Sequence, residues 1–230
     1  RYAAFGLALS MLVAFASCTS ASDGTQSAPR AADGGASDAS NNGGGGGGGT
    51  ASFQVLSISD WHGQLDPVTE KDAQGNDVGY GGLAVLSAYF AKERAKNPST
   101  LLFTAGDQTG ATPALSSFFE DRPAIDALNY LQLTATTFGN HDFDRGPLAL
   151  KDRVQDAKFT FVTTNMGRVS EVLGPKPVEG FYIVEVGSAE PKVRVAVLGI
   201  TNPDAPTMVY PGRMGGMTVS DPVEPTIRAA

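Results

Sequence analysis

One cysteine, one tryptophan and two histidines in 230 residues leave this chain poor in the side chains that most often announce chemistry. The lone Cys18 excludes an internal disulfide framework and any zinc site built from several thiolates. Basic residues are in deficit, 17 Lys and Arg against 24 Asp and Glu, for a formal net charge of −7. Binding of nucleic-acid polymers through a basic face rests on clustered Lys and Arg and is not expected of this chain. The apolar run from Ala3 to Ala16 falls short of the roughly 20 residues a membrane-spanning helix needs. From Thr19 to Thr50 there is no Val, Ile, Leu, Met or aromatic residue, and the stretch closes with seven glycines, Gly43 to Gly49. What remains is ample for folding: hydrophobic residues make up 41% of the chain, enough for one large domain or two small ones.

Arg1 in place of Met implies a reading frame that starts upstream. The run from Ala3 to Ala16 has the length of a secretory h-region. It ends in Phe15-Ala16-Ser17-Cys18, which resembles the lipobox of bacterial lipoprotein signal peptides, where the cysteine is acylated, although Phe15 departs from the usual Leu. The alternative is an ordinary signal peptide with an incidental cysteine. Residues 19–50 cannot bury enough surface to offset their ordering entropy, and read as a flexible tether. The expected organisation is therefore a lipoprotein-type signal peptide over 1–18 with Cys18 as the lipidation site, a disordered Gly/Ser/Ala-rich tether over 19–50, and a folded part over 51–230. That places the protein outside the bacterial cytoplasm, lipid-anchored at the cell envelope, in the periplasm or on the outer surface.

Beyond the tether, strand and helix alternate. Phe53 to Ser59 reads as a buried strand, followed by a Gly-rich excursion from Gly75 to Gly82; Leu83, Leu86, Phe90 and Arg94 then fall at helical spacing. Leu101 to Ala105, Thr134 to Phe138 and Phe159 to Thr164 are further strands. Pro123 to Leu133 and Leu148 to Ala157 are helices, the first with proline in its opening turn. This alternation predicts βαβ units around a largely parallel sheet. Phe181 to Val186 and Val193 to Ile200 read as an antiparallel pair, which makes the sheet structure mixed.

Three of these strands run into polar clusters of one chemical kind: Ser59-Asp60-Trp61-His62-Gly63, Ala105-Gly106-Asp107, and Gly139-Asn140-His141-Asp142-Phe143-Asp144. In open α/β sheets the ligand crevice lies outside the carboxyl ends of the strands, so the clusters can converge. Hard oxygens with imidazole suit divalent cations such as Mn, Zn or Fe. Both histidines of the chain sit in these loops. Each piece alone is weak, since an Asp-x-His is more often a solvated loop and Gly-Asp is common in turns. The combination at three strand ends is what points to a metal site.

Taken together, Asp60-x-His62-Gly63, Gly106-Asp107 and Gly139-Asn140-His141-Asp142 resemble the first three signature motifs of the calcineurin-like metallophosphoesterases. More narrowly the chain is similar to the secreted 5′-nucleotidase branch, including bifunctional UDP-sugar hydrolases. The likeness covers about residues 52 to 228 and extends to Gly81-Gly82-Leu83, Asn129-Tyr130-Leu131, Thr164-Asn165-Met166 and Gly199-Ile200-Thr201-Asn202-Pro203-Asp204. It implies an αββα sandwich with mixed sheets, here incomplete at the C-terminus, and a cofactor of two divalent metal ions among Zn, Mn, Fe and Mg. Asp60 and His62 would bind one metal, Asp107 would bridge both, and Asn140 would bind the second and contact substrate. Two cations about 3.5–4 Å apart can activate a water for in-line attack on phosphorus. His141 would be the catalytic histidine, meeting a phosphoryl or leaving-group oxygen, and Asp144 would orient it. For Asp144 a helix N-cap ahead of Pro147 is the alternative. Asp142, where the family has Glu or Asp, is given no more than a supporting role, and Arg145, where the branch often has an aromatic residue, reads as solvated.

Four side chains cannot complete two metal coordination spheres. The family adds histidines from downstream Gly-His and Gly-His-x-His motifs, and no histidine follows His141. The chain therefore reads as an N-terminal fragment, with hydrolysis expected of the parent protein. The implied reaction is hydrolysis of extracytoplasmic nucleotides to nucleoside and phosphate. Three alternatives keep the core and change the substrate: a cyclic nucleotide, a nucleotide-sugar, or a thiosulfonate ester. A decayed, lipid-anchored binding protein is the non-enzymatic alternative.

Overall fold

The computed structural model describes residues 52–187 and 192–230, and the backbone of 12–16. Apart from that short backbone segment, the signal peptide, Cys18 and the tether lie outside the described residues.

The elements run in chain order. β1 (Leu12–Ala16) and β2 (Gln54–Ile58) are followed by the hairpin β3 (Val68–Lys71) and β4 (Asp77–Tyr80), then α1 (Gly82–Lys96), β5 (Thr100–Thr104), α2 (Ala114–Ser117) and α3 (Arg122–Tyr130). After β6 (Ala135–Thr136) a single 3₁₀ turn, His141–Phe143, precedes α4 (Gly146–Asp156), β7 (Thr160–Thr163), β8 (Met166–Gly167), α5 (Val169–Leu173), β9 (Val178–Glu179), β10 (Phe181–Val186), β11 (Val193–Gly199), α6 (Ala205–Met208), β12 (Thr218–Val219) and α7 (Val223–Ala229).

A five-stranded sheet, ordered β2-β5-β6-β7-β9, is parallel throughout. Its centre is apolar because both faces are covered. In β5 the side chains alternate between the faces: Leu102 packs into a cluster with Phe90 of α1, Leu128 of α3 and Val154 of α4, while Leu101 and Phe103 pack against Val186, Val195 and Val197. One face of the sheet therefore carries helices and the other carries a second sheet. The expected antiparallel pair is present as β10 and β11 and builds that second sheet, ordered β1-β11-β10, instead of extending the first. The Gly-rich excursion is the β3–β4 hairpin, which alternation of apolar residues does not signal because the side chains of both strands are largely exposed. Within the described residues no helix is long and apolar enough to cross a membrane.

Candidate metal centre

The parallel strands β2, β5 and β6 are neighbours in the sheet, so their C-terminal loops are brought to the same edge. Trp61, the chain's single tryptophan, is buried in the helix-side core and its Nε1 donates to Gln64 O at 3.2 Å, which anchors the first loop between Asp60 and His62. The second and third loops touch through glycine. A Cβ on Gly106 would come within 2.5 Å of Gly139 N, and one on Gly139 within 2.1 Å of Asp107 Oδ1. No larger residue fits at either place, which is the physical reason for Gly-Asp and Gly-Asn in these motifs.

Three candidate ligands sit in the left-handed region of backbone space: Asp60 at φ 47°, His62 at φ 47° and Asp107 at φ 54°. Such conformations cost on the order of 1–3 kcal/mol each and cluster where function requires them. His62 and Asp107 are tied in place by hydrogen bonds from backbone N–H groups. His62 N donates to Asp107 O at 3.0 Å, and His141 N donates to Asp107 Oδ1 at 2.9 Å. Asp107 thus clasps both histidine-bearing loops, one with its carbonyl and one with its carboxylate.

Ligand atoms of His62, Asp107 and His141 all lie within 4.8 Å of one another, and the two rings meet edge to face at 5.0 Å between centroids. His62 Nδ1 lies 2.9 Å from Gly110 O. A carbonyl only accepts, so Nδ1 carries the proton and Nε2 keeps its lone pair for a cation. His141 Nδ1 donates to Asp144 Oδ2 at 2.8 Å. Asp144 closes the 3₁₀ turn, and the residue at the N-cap of α4 is Arg145, with no side-chain cap, so the helix-cap alternative for Asp144 is not realised. Asn140 is buried, and its Oδ1 has no hydrogen-bond partner among the described residues. A buried amide oxygen without a donor is unfavourable, unless a cation is its partner. Asp60 is exposed and stands outside the close His62–Asp107–His141 group, near enough that its charge raises the pKa of Asp107.

The electrostatics follow from burial. Desolvation pushes Asp107 above the usual carboxylate range, against the backbone hydrogen bond from His141. Burial pulls the His141 imidazole down, but its hydrogen bond to Asp144 and the charges of Asp144, Asp107 and Asp142 outweigh this and leave it raised.

Sequence reasoning undervalued Asp142. Asp142 is buried and accepts four hydrogen bonds: from Gly139 N at 2.9 Å, Asp107 N at 3.1 Å, Thr109 N at 3.1 Å and Thr109 Oγ1 at 3.0 Å. It is the clip between the second and third loops. Burial and the neighbouring Asp107 push its carboxyl up to about 7, despite those four donors. Arg145 is likewise not merely solvated. Its Nε donates to Asp121 Oδ2 at 2.7 Å and its Nη2 to Ser117 O and Oγ, each at 3.0 Å. No sequence signal marks Asp121; Arg145 was visible only as a departure from the expected residue type. Beside these residues, Glu120, Asp144, Arg145, Leu148, Ala149, Asp152 and Arg213 line an open, polar cleft of about 500 Å³.

The model of the calcineurin-like phosphoesterases matches residues 53–188, which include all three loops. The chain belongs to that family. Among relatives of this phosphoesterase, the cell wall protein Lmo0130 of Listeria monocytogenes is 28% identical over 203 residues, covering 78% of this chain and 25% of the relative. The snake venom 5′-nucleotidase of Crotalus adamanteus is 28% identical over 165 residues, covering 69% of this chain and 27% of the relative. The crystal structure of a 5′-nucleotidase precursor from Thermus thermophilus superposes with a TM-score of 0.62 at 26% identity, over 77% of this chain and 33% of that one. The phosphoesterase chain thus spans a quarter to a third of the length of these three proteins. The αββα-type fold follows from these matches, and a divalent metal is the family's cofactor.

Proposed function

We propose that this chain carries the first three metal loops of a dinuclear 5′-nucleotidase that releases phosphate and a nucleoside from extracytoplasmic nucleotides, the activity belonging to the full-length protein. The observation that carries the reading is the unpartnered, buried Oδ1 of Asn140 next to the residue whose ring joins the His62–Asp107–His141 group. Asp60 and His62 would hold one cation, Asp107 would bridge, and Asn140 would hold the second, with further ligands needed beyond these four. Divalent ions bound there would supply positive charge for the phosphoryl oxygens and an activated water.

The chain's own residues do the rest. His62, with its proton fixed on Nδ1 by Gly110 O, presents Nε2. His141, held by Asp144 and kept basic by it, donates from Nε2 to the phosphoryl or leaving-group oxygen, where charge builds in the transition state. Asn140 would position the phosphoryl group beside it. The printed names of the venom and Thermus relatives support a nucleotide as substrate, and those of the venom and cell wall relatives support an extracytoplasmic location. Anchoring through acylated Cys18, with residues 19–50 as tether and 51–230 as catalytic part, completes the proposal, in which β1 belongs to the segment removed ahead of Cys18.

The test is phosphate release from AMP by the full-length protein, with Asp107→Ala and His141→Ala alongside. Activity persisting in both variants would refute the assignment. A panel including 2′,3′-cyclic AMP, a UDP-sugar and a thiosulfonate ester separates the substrate alternatives on the same core.

A further inference from the structure

One buried carboxylate outside the ligand set touches the residue that supports one histidine and the residue that follows the other's support. Asp121 precedes α3 in the left-handed conformation, at φ 65°, and its side chain is 2% exposed. Its Oδ2 accepts Gly110 N at 3.4 Å and Arg145 Nε at 2.7 Å, and its Oδ1 accepts the Thr112 hydroxyl. Gly110 and Arg145 are the consequential partners. The Gly110 carbonyl accepts the Nδ1 proton of His62, and Arg145 directly follows Asp144, which accepts the Nδ1 proton of His141. The two supports are also pressed together. A Cβ on Gly110, whose φ is 78°, would lie 2.1 Å from His141 O and 2.8 Å from Asp144 Oδ2.

We infer that Asp121, through its ion pair with Arg145, is a positioning residue that fixes the tautomer and orientation of His62 and His141 together. The inference rests on the metallophosphoesterase reading of the two rings. Neither Asp121 nor Arg145 belongs to the group of possible ligands; both act through what they hold. The carboxylate holds the N–H of Gly110, the residue whose carbonyl, one peptide unit further on, accepts from His62. The guanidinium forks between Asp121 and Ser117 and stops the Asp144 backbone from rotating. A charge-assisted fork of this kind confers directional rigidity that a single neutral hydrogen bond does not.

The experiment uses Asp121→Asn, Arg145→Met and the double variant of the full-length protein. Ring ¹⁵N spectra of the chelator-treated protein, assigned with His62→Gln and His141→Gln, report the tautomers. Titration with Mn²⁺ reports affinity, and AMP hydrolysis reports kcat and KM separately. Residues that orient metal-site histidines typically cost roughly 10–100-fold in metal affinity or activity when removed, and each single variant should fall in that range with KM for AMP unmoved. The His62 ring should leave the single Nδ1–H form, the His141 ring should lose the signature of its Nδ1–H bond to Asp144, and the double variant should be no worse than the worse single one, because the pair acts as a unit. Wild-type ring spectra in both single variants, or fully additive losses, would overturn the inference. Should Asp121→Asn fail to fold, Arg145→Met, on the more exposed side of the pair, decides the matter by the same spectra. A wild-type protein that hydrolyses no phosphate ester would defeat the proposed function, while the ring spectra and Mn²⁺ affinity still decide the tie.

Discussion

The carboxylate of Asp142 accepts the backbone N–H of Asp107 at 3.1 Å, so one buried acid sets the main chain of the other. Two acids in this proximity repel when both are charged, and burial raises both. The arrangement persists because Asp142 spends its charge on four donors from two loops. A divalent cation on Asp107 would relieve the remaining repulsion.

Replacing Asp142 by Asn puts an amide N–H₂ against donors that need an acceptor. The expected cost is about 3 kcal/mol of stability, read as a lower urea midpoint with an unchanged slope, and activity should be lost with it. An unaltered midpoint would show that the clip contributes nothing.

Cation binding should stabilise the fold. A site saturated at about 100 times its dissociation constant adds roughly 2.7 kcal/mol, so Mn²⁺ or Zn²⁺ should raise the melting temperature and EDTA should reverse the effect. Asn140→Ala removes the oxygen that has no other partner; it should leave the chelated protein's melting temperature nearly unchanged while abolishing most of the metal-induced rise. An equal rise in wild type and variant would place the ion elsewhere.

The His141–Asp144 pair predicts a pH dependence of definite sign in the chelator-treated protein. The folded value of His141 is raised above the ordinary 6.5. Its contribution to stability is therefore fully present below about 6.5, the unfolded value. It fades as the pH rises through the higher folded value. Asp144→Asn should flatten this part of the stability profile. Stability that instead climbs through that window in wild type, and flattens in the variant, would contradict the sign.

Gly139→Ala tests the contact between the loops. The added methyl would sit 2.1 Å from Asp107 Oδ1 and 2.5 Å from its backbone N, a clash only backbone movement relieves. Overpacking of this kind costs roughly 1–3 kcal/mol, and it should displace Asp107, so metal affinity should fall further than thermal stability suggests. Calorimetric titration with Mn²⁺ beside a melting curve separates the two effects.

Much of the fold was legible because its central strands are buried on both faces and its helices carry apolar residues at helical spacing. β2, α1, β5, α3, α4, β7, β10 and β11 each fall within a few residues of the expected segment. The β3–β4 hairpin and short elements such as α2 and β12 were not legible, since too few of their side chains are buried to leave a pattern. Likewise Asp60, His62, Asp107, Asn140 and His141 stand out as candidates by residue type at strand ends, and Asp144 by the family resemblance, whereas Asp121 does not. A buried acid that holds a backbone N–H leaves no periodic trace, and its partners lie 11 and 24 positions away.

By itself the sequence determined which side chains could bind a cation and that parallel strands would present them at one edge, because residue chemistry and alternation are local properties readable along the chain. Only the tertiary structure decided which nitrogen of each histidine is free, that Asn140 Oδ1 stays unpaired, and that Asp142 and Asp121 hold the loops. Those outcomes depend on hydrogen bonds between segments distant in sequence, and burial makes each of those bonds obligatory.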